Sequence, residues 1–267
     1  MVNAPACLVR ALAAALVLAV LAGCASIPPG AGTHPVDPLE VYNRHVFDLN
    51  ERVDRALLKP IAQAYEAVVP EDLRICINNA FLNLLEPVNS INNLLQGKPS
   101  EAVADLCRMV VNSTVGLLGC FDVAAKAGAP RSHEDFGQTL GRWGMEPGPY
   151  FVLPLLGPSS VRDTAGRLFD FLGTDPLWYI RNIPLRNSLV GARLIDQRAA
   201  LLPAEKVFEA AALDKYQFAR DAYLQLRRNL VHDGNPPRLK DPDEDDDTAP
   251  AKPPAPAADQ PPPQPAR

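Results

Sequence analysis

Apolar residues recur in steps of three and four along much of this chain. Leu39, Tyr42, Val46, Leu49, Val53 and Leu57 share one helix face, opposite Asn43, Arg44, Asp48, Glu51, Arg52 and Arg55. Asp37 at N-cap, Pro38 at N1 and Glu40 at N3 predict where that helix starts, and Lys59-Pro60 where it ends. A second stripe, Ile77, Phe81, Leu84, Val88, Ile91 and Leu95, runs between Glu71 and Gly97, and Pro87 must kink or divide it. A third helix opens at Pro99-Ser100-Glu101, with Ala102, Val103, Leu106, Met109 and Val110 expected inward. Another follows Ser159, with Val161, Ala165, Leu168, Phe169 and Leu172 expected inward. A last helix is expected from about Pro203 to Val231. Ala212, Tyr216, Ala219, Tyr223, Leu226 and Leu230 form its apolar side, away from Lys215, Arg220, Arg227 and Arg228. No stretch sustains period-two alternation with β-branched residues, so the fold class is all-α, built of short amphipathic helices kinked by Pro and Gly.

Two stretches depart from ordinary amphipathic helix. Across from the second stripe lie Asn79, Asn83, Glu86, Ser90 and Asn93, where a water-facing side normally carries Lys, Arg and Glu. Such a row suits either a mildly polar wall that amphiphiles pass or capping and hydrogen bonding between helices. Residues 136–158 carry five glycines and four prolines with Trp143, Tyr150 and Phe151. That run is neither a long helix nor a comfortable water-exposed loop. It fits an irregular segment at a bilayer interface, where aromatic rings settle at headgroup depth, or equally a loop packed inside the protein. Trp178 and Tyr179 lie in a second broken apolar patch. Gly116 and Gly119 mark a close backbone approach. The span from Val103 to Val123 holds too many polar residues for a transmembrane helix.

The ends have a different composition. Residues 1–23 combine a thin basic start with a Leu/Ala/Val stretch, and read as a secretory signal. Leu21-Ala22-Gly23 followed directly by Cys24 resembles the lipobox of bacterial lipoproteins, which implies cleavage before Cys24 and acyl chains on it, each buried methylene contributing about 0.8 kcal/mol toward a durable anchor. Residues 24–36 read as a flexible tether and 37–232 as the domain. Residues 233–267 hold eight acids, four bases and eleven of the 28 prolines, a composition expected to be disordered. The net charge of −5 leaves no basic field, which sets nucleic acid aside. An oxidising compartment would permit one disulfide among Cys76, Cys107 and Cys120, but their apolar helical contexts read better as small buried hydrophobes.

Recognisable chemistry is sparse. The chain has no Gly-x-Ser-x-Gly elbow, no phosphate loop and no dinucleotide fingerprint. Ser113-Thr114 with His45 or His133 as base is the nearest approach to a nucleophile, and a helix hydroxyl is ordinarily structural. His133-Glu134-Asp135 lacks a second His or Cys at ligand spacing and reads as part of a solvated loop over 126–135. The expectation is a protein that is not an enzyme and that holds no metal or cofactor.

Several ordered motifs resemble one family. They are Asp37-Pro38-x-Glu40-x-x-Asn43-Arg44-x-x-Phe47-x-x-Asn50, then Asn112-Ser113-Thr114-x-Gly116-x-x-Gly119-x-x-Asp122-Val123-Ala124, then Phe136-Gly137-Gln138-Thr139-Leu140-Gly141. Gly148-Pro149-Tyr150, Leu153-Pro154, Gly157-Pro158 and Arg162-Asp163 complete the set. Over roughly 37–230 the chain resembles the MlaA (VacJ) family of Gram-negative outer-membrane lipoproteins. The resemblance implies a ring-like helical domain embedded in the inner leaflet, anchored on the periplasmic face, with a central channel for phospholipids. It implies removal of mislocalised phospholipid from the outer leaflet, handover to the periplasmic carrier MlaC and association with a trimeric porin. Ala25 after the lipidated cysteine favours the outer membrane by the same resemblance. On this reading Asn79, Asn83, Glu86, Ser90 and Asn93 are the candidates for the channel wall, and Trp143, Tyr150, Phe151, Trp178 and Tyr179 for the membrane interface. The loop over Lys126–Asp135 is the candidate gate. A tethered adaptor without transport activity and an envelope lipid hydrolase are the competing readings.

Overall fold

The computed structural model describes residues 34–238. The signal, Cys24, most of the tether and most of the acidic, Pro-rich tail lie outside the described residues. The described residues are mostly helical. α1 (Glu40–Val53) passes through a π-helical turn (Asp54–Leu58) into α2 (Lys59–Val68). α3 (Glu71–Leu84), α4 (Glu86–Leu95), α5 (Pro99–Thr114), α6 (Val123–Lys126) and α7 (Phe136–Arg142) follow. A hairpin of β1 (Tyr150–Leu153) and β2 (Gly157–Ser160) leads into α8 (Val161–Phe169), then a π turn (Asp170–Thr174) and a 3-10 turn (Pro176–Tyr179). α9 (Ile183–Ala211) and α10 (Lys215–Val231) close the sequence of elements. The all-α class stands, with the antiparallel pairing of Tyr150 with Ser160 through Leu153 with Gly157 as a short exception. Four-residue strands are too brief to print an alternation on the sequence.

Several boundaries differ from the expected ones, each for a local reason. Pro60 does not end the first helix. The Lys59 N–H reaches the Asp54 carbonyl five residues back, and this wider turn makes room for a proline that lacks its own N–H. Asp37 is not a cap; Leu39 stands at the N-cap without a side-chain bond, and Asp37 is fully buried. Pro87 divides the second stripe as expected, with α3 ending at Leu84 and α4 carrying Pro87 in its first turn. The expected last helix is two. α9 begins twenty residues earlier and carries Pro203 inside it, and α10 restarts where Asp214 accepts from the N–H groups of Tyr216 and Gln217.

The packing order of the elements closes on itself. α1 lies on β1, β2 on α10, α10 on α7, α7 on α4, α4 on α5, α5 on α3, α3 on α9, and α9 on α2, which is continuous with α1. A ring of contacts replaces one central core. The apolar clusters are correspondingly small: Val46, Tyr150, Val152 and Tyr216 beneath α1, and Ala62, Ala199 and Leu202 between α2 and α9.

α5 and α8 are turned inside out relative to the expected faces. On α5 only Ala102 of the expected inward set is buried, and Val103, Leu106 and Val110 are exposed, while Asp105, Arg108 and Asn112 face inward. On α8, Val161, Leu168 and Phe169 are exposed and Arg162, Asp163 and Gly166 are buried; Leu172, in the turn after it, is exposed too. On α10, Arg220 is buried and Leu226 exposed. Periodicity locates two faces, but only the surroundings decide which of them meets water, protein or lipid.

Candidate functional site

The interior is a set of hydrogen-bonded polar clusters. The amide row of α3 and α4 supplies much of it. Asn79 donates to the Cys120 carbonyl (3.1 Å), Asn83 to Ser113 Oγ (2.8 Å) and Asn93 to Asp105 Oδ2 (2.8 Å). Ser90 donates to the Ala102 carbonyl (2.8 Å), and Asn92 accepts from Thr139 Oγ1 (2.9 Å). Of the candidates for the channel wall, Asn83, Glu86, Ser90 and Asn93 are buried, and their amide, carboxylate and hydroxyl groups tie α4 and α3 to neighbouring segments. Asn79 alone keeps partial exposure, beside a cavity of about 250 Å³ with Tyr65, Asn78 and Asp196. Ser113 and Thr114 are equally structural, since the Thr114 hydroxyl donates back to the Val110 carbonyl (2.7 Å).

Glu86, fully buried, is the centre of an ionic cluster. Its Oε1 accepts from Arg108 Nε (3.1 Å) and Arg131 Nε (2.9 Å), and both arginines reach Asp122. Burial opposes the Arg108 charge, yet the bond to Asp122 and the field of Glu86 leave its pKa raised. Arg108 also donates to the Ala129 carbonyl. Ser132 bridges Asp105 (2.7 Å) and Asn93 (3.2 Å), and Glu134 accepts from Gln96 (2.8 Å) and Lys98 (3.2 Å). The 126–135 loop is exposed at Lys126–Gly128, Pro130 and His133, as a solvated loop would be, and is tied to α4 and α5 through Ala129, Arg131, Ser132 and Glu134.

Asp135 caps α7 by accepting from the Gln138 N–H, and Arg227 of α10 binds it through Nη1 (2.5 Å) and Nη2 (2.9 Å). The same guanidinium holds Asp163 through Nε (2.9 Å), and the Tyr223 hydroxyl donates to Asp163 as well (2.6 Å). Burial pushes the Asp163 pKa up, but Arg227, Tyr223 and Arg162 outweigh it and hold it at about 2. A third cluster gathers at Asp37, which accepts from Asn43 (2.8 Å), Tyr216 (2.5 Å) and Arg220 (3.3 Å). Arg108, Arg220, Arg227 and Asp37 were not anticipated as interior residues. Arg108 and Arg220 stand three or four positions from other polar residues, which a solvated face gives too, while Asp37 opens one of the family motifs.

The exterior is apolar. Exposed side chains include Val103, Leu106, Val110 and Val115 along α5, and Leu117 (66%), Leu118 (80%) and Phe121 on the loop after it. Leu155 and Leu156 occupy the hairpin tip, and Phe171 and Leu172 the π turn after α8. Among the described residues no helix is long and apolar enough to cross a membrane. Of the expected interface residues, Trp143 and Tyr179 are exposed, and Phe151 and Trp178 half-buried. Tyr150 is not among the exposed residues. It is fully buried against Tyr216 and Tyr223, since β1 turns it into the cluster beneath α1.

The cysteines are a correction. Cys76 of α3 and Cys120 form a disulfide, with Cα atoms 4.1 Å apart, and Cys107 is free and exposed. The bond fastens the loop of Gly116–Phe121 to α3. Gly119, with φ +89°, packs its Cα against Asn83, where a Cβ would lie 2.6 Å from the Asn83 Cβ. The close approach expected at this glycine and the disulfide serve one junction.

A family model described as MlaA lipoprotein matches residues 35–230. The chain belongs to the MlaA lipoprotein family. It is 33% identical over 232 residues to the intermembrane phospholipid transport system lipoprotein MlaA of Escherichia coli K12, covering 84% of this chain and 89% of that protein. The Haemophilus influenzae MlaA is 32% identical over 201 residues, 74% of this chain and 80% of its own length. An uncharacterized Rickettsia conorii protein is 31% identical over 195 residues, 73% of this chain and 78% of its own length. A solved structure, described as the structural basis for maintenance of bacterial outer membrane lipid asymmetry, superposes with a TM-score of 0.64 at 33% identity. It covers 73% of this chain and 98% of its own.

Proposed function

We propose that this MlaA-family chain is an outer-membrane lipoprotein channel that withdraws mislocalised phospholipids from the outer leaflet and passes them to a periplasmic carrier. Cys24 carries the lipid anchor, the helical ring sits in the inner leaflet from the periplasmic face, and the process preserves lipid asymmetry. The named role of the MlaA relatives in intermembrane phospholipid transport supports this reading. The observation that carries it is the inverted burial: α5 and α8 keep ionic groups inside and leucine, valine and phenylalanine outside. Exposed apolar patches on this scale mark a membrane or partner surface. The family resemblance further supports a trimeric porin as a neighbour and MlaC as the acceptor. No residue is assigned a catalytic role in this reading.

The test is whether the mature domain needs a bilayer without its anchor. Cys24→Ala protein is expected to remain in the membrane or detergent fraction, and cells lacking the protein to expose more phospholipid on their surface. A freely soluble, lipid-free Cys24→Ala monomer would leave the tethered adaptor as the better account.

A further inference from the structure

Away from the amide row, a cavity in the ring presents charged and apolar surface together. Between α1, the hairpin turn and α9 lies a cavity of about 450 Å³. Phe47, Pro158, Leu201 and Ala204 give it apolar walls, and Asp54, Arg198 and Glu205 give it a charged end. The π turn places Asp54 there: its two carboxylate oxygens take Arg198 Nε at 2.6 Å and Nη2 at 2.7 Å. Arg198 Nη2 also reaches Glu205 (2.6 Å), whose other oxygen accepts from Lys59 Nζ (2.8 Å). The bonds to Asp54 and Glu205 outweigh burial and hold Arg198 firmly cationic. All four groups keep part of their side-chain surface exposed, unlike the sealed Glu86–Arg108 pair.

We propose that this cavity is the headgroup station of the ring and that it takes zwitterionic phospholipid in preference to anionic phospholipid. The assignment rests on the transport reading above and adds the residues and the lipid class. Within the Asp54–Arg198–Glu205–Lys59 cluster the charges balance, two carboxylates against one guanidinium and one ammonium, and Glu51, also on the cavity wall, pairs with Arg55 (3.4 Å) and Lys215 (3.8 Å). A headgroup with a phosphate and an amine exchanges into such a cluster pair for pair: phosphate to the Arg198 fork, amine to Asp54 or Glu205. A headgroup carrying only a phosphate displaces a carboxylate from Arg198 and leaves it without a cation, which is the costly outcome in a partly desolvated site. The apolar walls beside the charges suit the first methylenes of an acyl chain and select a lipid over a soluble phosphoester.

The experiment places a photo-cross-linking amino acid at Leu201, which lines the cavity and is 59% exposed. A second full-length protein carries it at Leu118, on the outer surface. Each is reconstituted into vesicles of phosphatidylethanolamine or phosphatidylglycerol containing radiolabelled lipid. The proposal expects at least a fivefold excess of phosphatidylethanolamine over phosphatidylglycerol at Leu201, no such excess at Leu118, and loss of the excess in Arg198→Gln. Equal labelling of both lipids at Leu201, or labelling at Leu118 alone, overturns the headgroup station and leaves the transport reading standing. No lipid captured at either position overturns both. The comparison of vesicles in the unsubstituted Arg198 background carries the result even where Arg198→Gln folds poorly.

Discussion

At the scale of single residues, stability rests on a few polar and glycine positions. The pKa of Asp163 is depressed to about 2 from an ordinary 3.8. A depressed carboxylate contributes stability that is full above its unfolded pKa and is lost as pH falls through its folded value. Asp163 therefore supplies on the order of 2 kcal/mol at neutral pH that fades between about pH 4 and 2. Unfolding in detergent across that range should show a flatter acid limb, from a lower plateau, in Asp163→Asn than in the parent. Asp105 and Asp170, whose pKa values burial raises, tilt the same limb the other way and remain in both proteins. The glycines give a contrast. A Cβ at Gly166 of α8 would overlap the backbone of Gly137 in α7, whereas one at Gly191 in α9 meets nothing within 4 Å. Gly166→Ala should lower stability by about 1–3 kcal/mol, and Gly191→Ala should raise it by up to about 1 kcal/mol, in the same melting assay.

At the scale of elements, the junction of α3 with the Gly116–Phe121 loop is covalent. Cys76 and Cys120 are 44 residues apart in sequence, and linking them restricts the unfolded chain. Cys76→Ser, or the parent under reductant, should melt earlier by an amount corresponding to roughly 2–4 kcal/mol. Without reductant, a maleimide should label Cys107 in the intact protein and neither Cys76 nor Cys120. Equal melting with and without reductant would mean that the α3 amides alone hold the loop. The first helix teaches a second point about elements. Pro60 is a stop signal in sequence, yet one π turn lets the helix run on and places Asp54 at the cavity.

At the scale of the whole molecule, the ring of contacts leaves many of its leucines outside. Leu117 and Leu118 hold left-handed backbones, φ 52° and 57°, ahead of Gly119. Their side chains stand clear of the protein, so polar replacements there touch little of the fold. Leu117→Asp with Leu118→Asp should keep the helical content and melting point within about 0.5 kcal/mol and shift Cys24→Ala protein toward the soluble fraction on vesicle flotation. An unchanged flotation profile would remove this loop from the membrane-facing surface.

The sequence by itself determined the helical class, the break at Pro87, the start at Pro99, the close approach at Gly119 and, through its ordered motifs, the family. These are local matters: proline removes an N–H, glycine admits a φ or a contact, and a stripe of apolar residues needs one face. Only the tertiary structure decided which face went inward. Val103 and Arg108 both lie on an amphipathic helix, and the sequence pattern is the same whether water or lipid surrounds it. Arg108 is buried because Glu86, Asp122 and Ala129 converge on it from three other segments, and Val103 is exposed because the ring offers it no apolar partner. The same holds for the Cys76–Cys120 pairing, for Asp37 and for the ion pairs around Arg198. Apart from Arg198–Glu205 and Asp37–Asn43, each joins residues far apart in the chain, and the distance that makes the bond exists only once the ring has closed.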